Sequence, residues 1–198
     1  ESNDEELYKI IDAGMRRTVS DGIMHLTHSQ RIPTVARWLL AYEANLIRAH
    51  ADSASEHARL GSGFKAKLAY SQMELIDYCN QNAEKLSEAV EFVQGIYKQS
   101  GLVRWSIGSA LYLLASDRGQ KAKMKAFLTS VYAGGEEETA AGDLRNKLIM
   151  LKGSKAKYTG AYIFAIAIKA YQHYILGTRA TRGILRWDKN EEFPQMPK

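Results

Sequence analysis

The stretch Ala161-Tyr162-Ile163-Phe164-Ala165-Ile166-Ala167-Ile168 is apolar at every position, and so on every side of a helix. A helix that is apolar all round belongs in the middle of a fold, covered by several others. Its flanks are polar, with Lys155 and Lys157 before it and Lys169 and His173 after it. The run is less than half of the ~20 residues that span a bilayer, which makes it a core helix and not a membrane one. A central helix over about 157–176 follows, with the rest of the chain packed around it.

Upstream, the apolar period is helical throughout. Val35, Trp38, Leu39, Tyr42 and Leu46 form one stripe, after Pro33 and a capping Thr34. Ser71 and Glu74 have capping-box spacing and open a helix with Met73, Ile76 and Cys79 on one side. Leu86, Val90, Val93 and Tyr97 mark the next, which Gly101 ends. Val103, Ile107, Leu111 and Leu114 run up to a turn at Asp117–Gly119. Met124, Phe127, Leu128 and Val131 stop at Gly134-Gly135, and Leu144, Leu148 and Leu151 stop near Gly153. No stretch alternates with period two for long enough to make a strand. The expected class is all-α: one domain of six to eight helices, loops at Ala51–Gly63 and Gly134–Gly142, and an extended tail over 177–198. Ile184, Leu185, Trp187 and Phe193 are placed to dock that tail, while Pro194 and Pro197 exclude a helix at its end.

The chain has 198 residues, 45% hydrophobic and 25% charged, which excludes disordered and fibrous classes. A lone Cys79 excludes an intramolecular disulfide framework and a Cys-rich metal centre. The first residues are acidic and lack the basic and apolar segments of a secretory signal, so a cytoplasmic location without a membrane partner is expected. The net charge of +5 is unevenly spread. Residues 1–151 carry 18 basic and 19 acidic side chains, whereas residues 152–198 carry nine and three. A local basic excess points to a polyanionic partner.

Motifs of known chemistry are missing: there is no phosphate-binding glycine loop, no dinucleotide fingerprint and no His-Glu-x-x-His. His25 and His28 are three apart, but no third ligand follows at a useful interval; His50 and His57 span a loop. Cys79 lies on an apolar stripe with no activating neighbour in sequence, which reads as an inert buried thiol. Asp12, Asp21, Glu43, Asp77 and Asp117 are scattered and form no acid–base pair. No cofactor or catalytic residue is therefore expected. Three basic groups remain. Arg16 and Arg17 precede Thr18, Ser20 and Asp21 at what reads as a helix start, where free N–H groups favour phosphate. Lys121, Lys123 and Lys125 fan over half a helix as a solvated face does. Lys152, Lys155 and Lys157, with Tyr158 among them, join Arg179, Arg182 and Arg186 only if the two ends of the long helix, about 30 Å apart, share a surface.

Two stretches carry a resemblance. Ile11-Asp12-Ala13-Gly14-Met15-Arg16-Arg17-Thr18-Val19-Ser20-Asp21 is one. The other runs from Ala167-Ile168-Lys169-Ala170-Tyr171-Gln172-His173-Tyr174 to Leu185-Arg186-Trp187 and Glu192-Phe193-Pro194. Together with Leu111-Tyr112-Leu113-Leu114 and Phe127-Leu128, they resemble the C-terminal helical region of bacteriophage and prophage proteins that carry an N-terminal ParB/sulfiredoxin-like domain. The Gly-Gln-His-Arg motif of that domain is absent, so residues 1–20 read as a remnant or linker after it. No nuclease or nucleotide-hydrolysing activity carries over. The resemblance implies a helical partner domain in a DNA-associated phage-type protein, with Arg17, Asp21, Lys169, Arg186 and Trp187 at motif positions.

The expected function is DNA binding through the basic C-terminal quarter, with Arg16, Arg17, Lys152, Lys155, Lys157, Lys169, Arg179, Arg182 and Arg186 as candidate contacts. Four to six phosphate contacts give a log–log salt slope of about −4 to −5. The alternative is a protein-interaction or oligomerisation module that serves a ParB-like domain or a phage replication or host-takeover partner, anchored by the 11 Tyr and three Trp. A DNA-modifying enzyme is third. A helix-turn-helix over Trp105–Val131, turning at Asp117-Arg118-Gly119, is a weak signal within the first reading.

Overall fold

A computed structural model describes residues 31–45, 47, 72–97, 101–153, 158–188 and 191–198. These residues form seven helices and no strand. They are α1 (Ile32–Glu43), α2 (Gln72–Gln81), α3 (Ala83–Tyr97), α4 (Trp105–Ser116), α5 (Lys121–Ala133), α6 (Ala140–Gly153) and α7 (Gly160–Ile175). The fold is all-α, as the periodicity leads one to expect. None of these helices is long and apolar enough to cross a membrane.

One apolar cluster draws on every helix and on the tail. The apolar run in α7 behaves as its composition requires: Phe164 to Ile168 are buried without a break, followed by Ala170 and Tyr171. Thr159 caps this helix, its hydroxyl accepting the Tyr162 N–H at 3.1 Å. The centre is shared with α4, which is buried from Ser106 through Ala115. Small residues make that possible. Ser109 Oγ donates to Trp105 O at 2.9 Å and lies 3.3 Å from Ala89 O on α3, so its hydroxyl is satisfied in the core. A Cβ on Gly108 would come within 2.7 Å of the Tyr132 hydroxyl and 2.9 Å of Val93 Cγ1, so α3 and α5 pack where only glycine fits.

One boundary and one helix face differ from expectation. α1 starts at Ile32 with Pro33 inside its first turn, and Thr34 is therefore helical and not the cap. The reason is that proline tolerates the first turn, where an N–H has no partner to lose. In α2, Met73 faces out, 58% exposed, and Leu75 joins Cys79 in the core; Ile76 is half-buried. Ser71, Leu46 and the 51–63 stretch lie outside the described residues.

The tail is an extended strap that runs twice along α7. After Gly177, whose positive φ of 67° turns the chain, residues 178–186 run back toward the start of α7. The Tyr162 hydroxyl meets Leu185 O at 3.5 Å there, and Lys169 Nζ donates to Arg186 O at 2.6 Å. The strap then reverses. Phe193 packs on Phe164, Tyr42 and Trp187 at centroid distances of 5.4, 6.0 and 5.1 Å. Gln172 Nε2 donates to Gln195 O at 2.7 Å, and Gln120 Nε2 reaches Lys198 O at 2.9 Å. Leu185, Trp187 and Phe193 are buried, as expected, and Met196 joins them; Ile184 is half-buried.

Candidate nucleic-acid interface

The basic quarter is put to two different uses. At the far end of α7, Arg179 Nε donates to Asp143 Oδ2 at 2.7 Å, and its second nitrogen donates to the other carboxylate oxygen. The Ala180 N–H adds a third bond to Oδ2 at 2.9 Å. Arg179 holds the Asp143 carboxyl below the ordinary carboxylate range, and the Ala180 N–H reinforces it. Lys169 is likewise committed. Its side chain is only 15% exposed, and it pairs with Glu191, the neighbour of the Glu192 in the motif. These two cations fasten the strap.

Arg182 and Arg186 have a different setting. The Leu185 N–H bonds to Thr181 O at 3.0 Å, a single helical turn that brings the two arginines onto one side of the strap. Both are exposed. Arg182 rests against the Met150 sulfur at 3.9 Å, near the end of α6, and Lys152 is exposed on the last turn of the same helix. Arg186 faces Asp188 at 3.8 Å, an exposed pair that is worth little. Its charge also acts on the Tyr162 phenol, opposing the rise that burial causes. Tyr162 in turn lies against Tyr158, with ring centroids 5.1 Å apart. Lys152, Tyr158, Arg182 and Arg186 therefore gather at the end of the antiparallel α6–α7 hairpin. The length of α7, 16 residues or about 24 Å, is bridged because the strap doubles back. Arg16, Arg17, Lys155 and Lys157 lie outside the described residues.

Sequence alone did not reveal two features of the α6 surface along which the strap runs. Asp143 anchors Arg179 across 36 residues, a separation no local pattern signals. Ile149 and Met150 are about half exposed, Met150 beside Arg182, where the Leu144, Leu148 and Leu151 stripe gives no hint of them.

The other basic group is less free than its spacing suggests. Lys121 bonds to Glu88 on α3 at 2.6 Å and lies 5.9 Å from the Tyr112 ring centroid. Lys125 lies 5.2 Å from the Phe92 ring centroid. α4, its short turn and α5 do have the order of a helix-turn-helix. In that motif the start of the second helix meets the bases. Here Gln120, just before α5, is engaged by the last residues of the strap.

A shallow cleft between α1, α2, α3 and α4 is lined by Tyr78, Asn82, Lys85 and Asp117. Lys85 and Asp117 face each other at 3.4 Å, and burial pushes the Tyr78 phenol far above its ordinary value. The Cys79 thiol is buried and raised to about 11, again by burial, so it is protonated at neutral pH. This arrangement supplies no activated nucleophile. Among the described residues no three His, Cys, Asp or Glu side chains are grouped to hold a metal ion. The chain matches no protein-family model, no curated protein and no solved structure.

Proposed function

We propose that the chain is a DNA-associated helical module of the phage type, which binds through the end of the α6–α7 hairpin. The observation that carries this reading is the return of the strap, which sets exposed Arg182 and Arg186 at the end of the hairpin where Lys152 lies. The resemblance of the Lys169 to Trp187 segment to phage proteins with a ParB-like domain supports the class. Within that segment Lys169 and Trp187 hold the strap, and Arg186 is turned to solvent.

Arg182 and Arg186 together give a log–log salt slope of about −1.4 to −1.8. Fluorescence anisotropy with labelled DNA, in single-stranded and duplex form, tests the reading. Binding at about 50 mM salt is expected to weaken with that slope. The Arg182→Gln/Arg186→Gln variant should reduce the slope by about 1.4 to 1.8. Failure of both DNA forms to bind at low salt rejects the reading.

The exposed Ile149 and Met150 favour a second reading, an interaction or oligomerisation module serving a ParB-like domain or a phage partner. Sedimentation of the full chain distinguishes it. A monomer at every concentration, with DNA binding intact, leaves the first reading alone.

A further inference from the structure

We infer that the hairpin end takes an unpaired nucleic-acid strand, stacking a base on Tyr158 while Arg182 and Arg186 hold the neighbouring phosphates. This rests on the preceding reading of a nucleic-acid face and names its substrate. A duplex backbone can use the hydroxyl of a tyrosine, but only an unpaired base can use the open face of its ring. Tyr158 is such a ring, 37% exposed, at the mouth of the hairpin. Tyr162 supports it from one side at 5.1 Å, and Tyr162 is fixed in turn by Leu185 O on the strap. The ring is thus held in place, and little ordering remains to be done when a base lands on it. The cations come from the strap. Arg182 and Arg186 are exposed on the segment that passes the Tyr158–Tyr162 pair at Leu185, and the charge of Arg186 is felt at Tyr162. An aromatic platform beside cations is the arrangement by which proteins hold single strands without reading sequence, because every base has a π face.

The test uses the full chain with fluorescein-labelled dT12, the matching rU12, and a twelve-base-pair duplex. Binding of dT12 is expected to exceed that of the duplex. Tyr158→Leu should weaken dT12 binding about five- to a hundred-fold, the range for loss of one stacked base, with the salt slope unchanged. Tyr158→Trp should retain or tighten it, and far-UV circular dichroism of both variants should match the wild type. Equal binding of duplex and dT12, with Tyr158→Leu indistinguishable from wild type, overturns the inference and leaves the DNA-binding reading standing. Binding of rU12 but not dT12, still lost in Tyr158→Leu, supports stacking and overturns the assignment to DNA. No binding of any of the three overturns both.

Discussion

Asp143 receives the Arg179 guanidinium on both of its oxygens and the Ala180 N–H on one of them. The carboxylate side chain is only 14% exposed, so these bonds are made largely out of water. Charge-assisted bonds of this kind contribute about 1.5 to 3 kcal/mol each when a partner is removed, less here because Arg179 is half exposed. Asp143→Asn keeps the shape and removes the charge, and should lower unfolding stability by about 1 to 2 kcal/mol in urea titrations at pH 7. The pH dependence has a definite sign. The folded carboxyl titrates below its ordinary value of 3.8, so its stabilisation is complete above that value. It is lost as the pH falls through the lower folded value. The stability gap between wild type and Asp143→Asn should therefore be constant from pH 5 to 7 and close below about pH 4. A gap that persists in acid would show that the side chain acts by shape alone. The residue went unnoticed in the sequence because its partner is 36 positions away, although an acidic side chain in the first turn of a helix is an ordinary sight.

At the scale of elements, the strap is the piece whose energetics can be isolated. Its second pass buries Phe193 and Met196 against α1 and α7. The Tyr42 hydroxyl accepts the Met196 N–H at 2.8 Å and donates to Gln195 Oε1 at 3.0 Å. Two variants separate the apolar from the polar part. Removing residues 191–198 empties the space filled by Phe193 and Met196 and strips Lys169 of Glu191; the loss should exceed about 3 kcal/mol in urea. Tyr42→Phe removes only the hydroxyl and leaves the buried Met196 N–H without an acceptor, which costs about 1 to 3 kcal/mol. A truncation with an unchanged midpoint would mean that the strap lies on the core without contributing to it. Much of this element was legible. Leu185, Trp187 and Phe193 are large apolar residues in a Pro-containing segment, and such residues must be buried somewhere. Its reversal was not legible, because that depends on the Gly177 turn and on which face of α7 is open. The prominence of α4 was hidden for a related reason. Ser106, Gly108 and Ser109 look like surface or breaker residues until their close neighbours are known, and then the same small size explains the close approach.

At the scale of the molecule, the helical period gave the fold class because each stripe marks a face that has to be covered. The basic excess gave the end of the chain but not the division within it. Charge counting cannot separate Lys169 and Arg179, which are spent on Glu191 and Asp143, from Arg182 and Arg186, which face solvent. That division depends on long-range pairing, and it shortens the candidate site from a whole quarter of the chain to one end of a hairpin. The apolar cluster makes a further statement about the whole. It is continuous from α1 through the strap, with Trp38 packed against it from α1, Trp105 from α4 and Trp187 buried within it from the strap. The Trp38 ring meets Phe164 edge-on at 5.5 Å and Trp187 meets Phe193 at 5.1 Å, so both report on the neighbourhood of α7. A single contiguous core unfolds as a unit. Tryptophan emission and far-UV ellipticity should therefore trace one urea transition with the same midpoint and slope, and Trp38→Phe and Trp187→Phe should each leave the remaining emission on that transition. An emission change at lower urea that disappears in Trp187→Phe would mean that the strap leaves first. In that case the pairings of Lys169 and Arg179 would be open at equilibrium, and both cations would return to the set available to a polyanion.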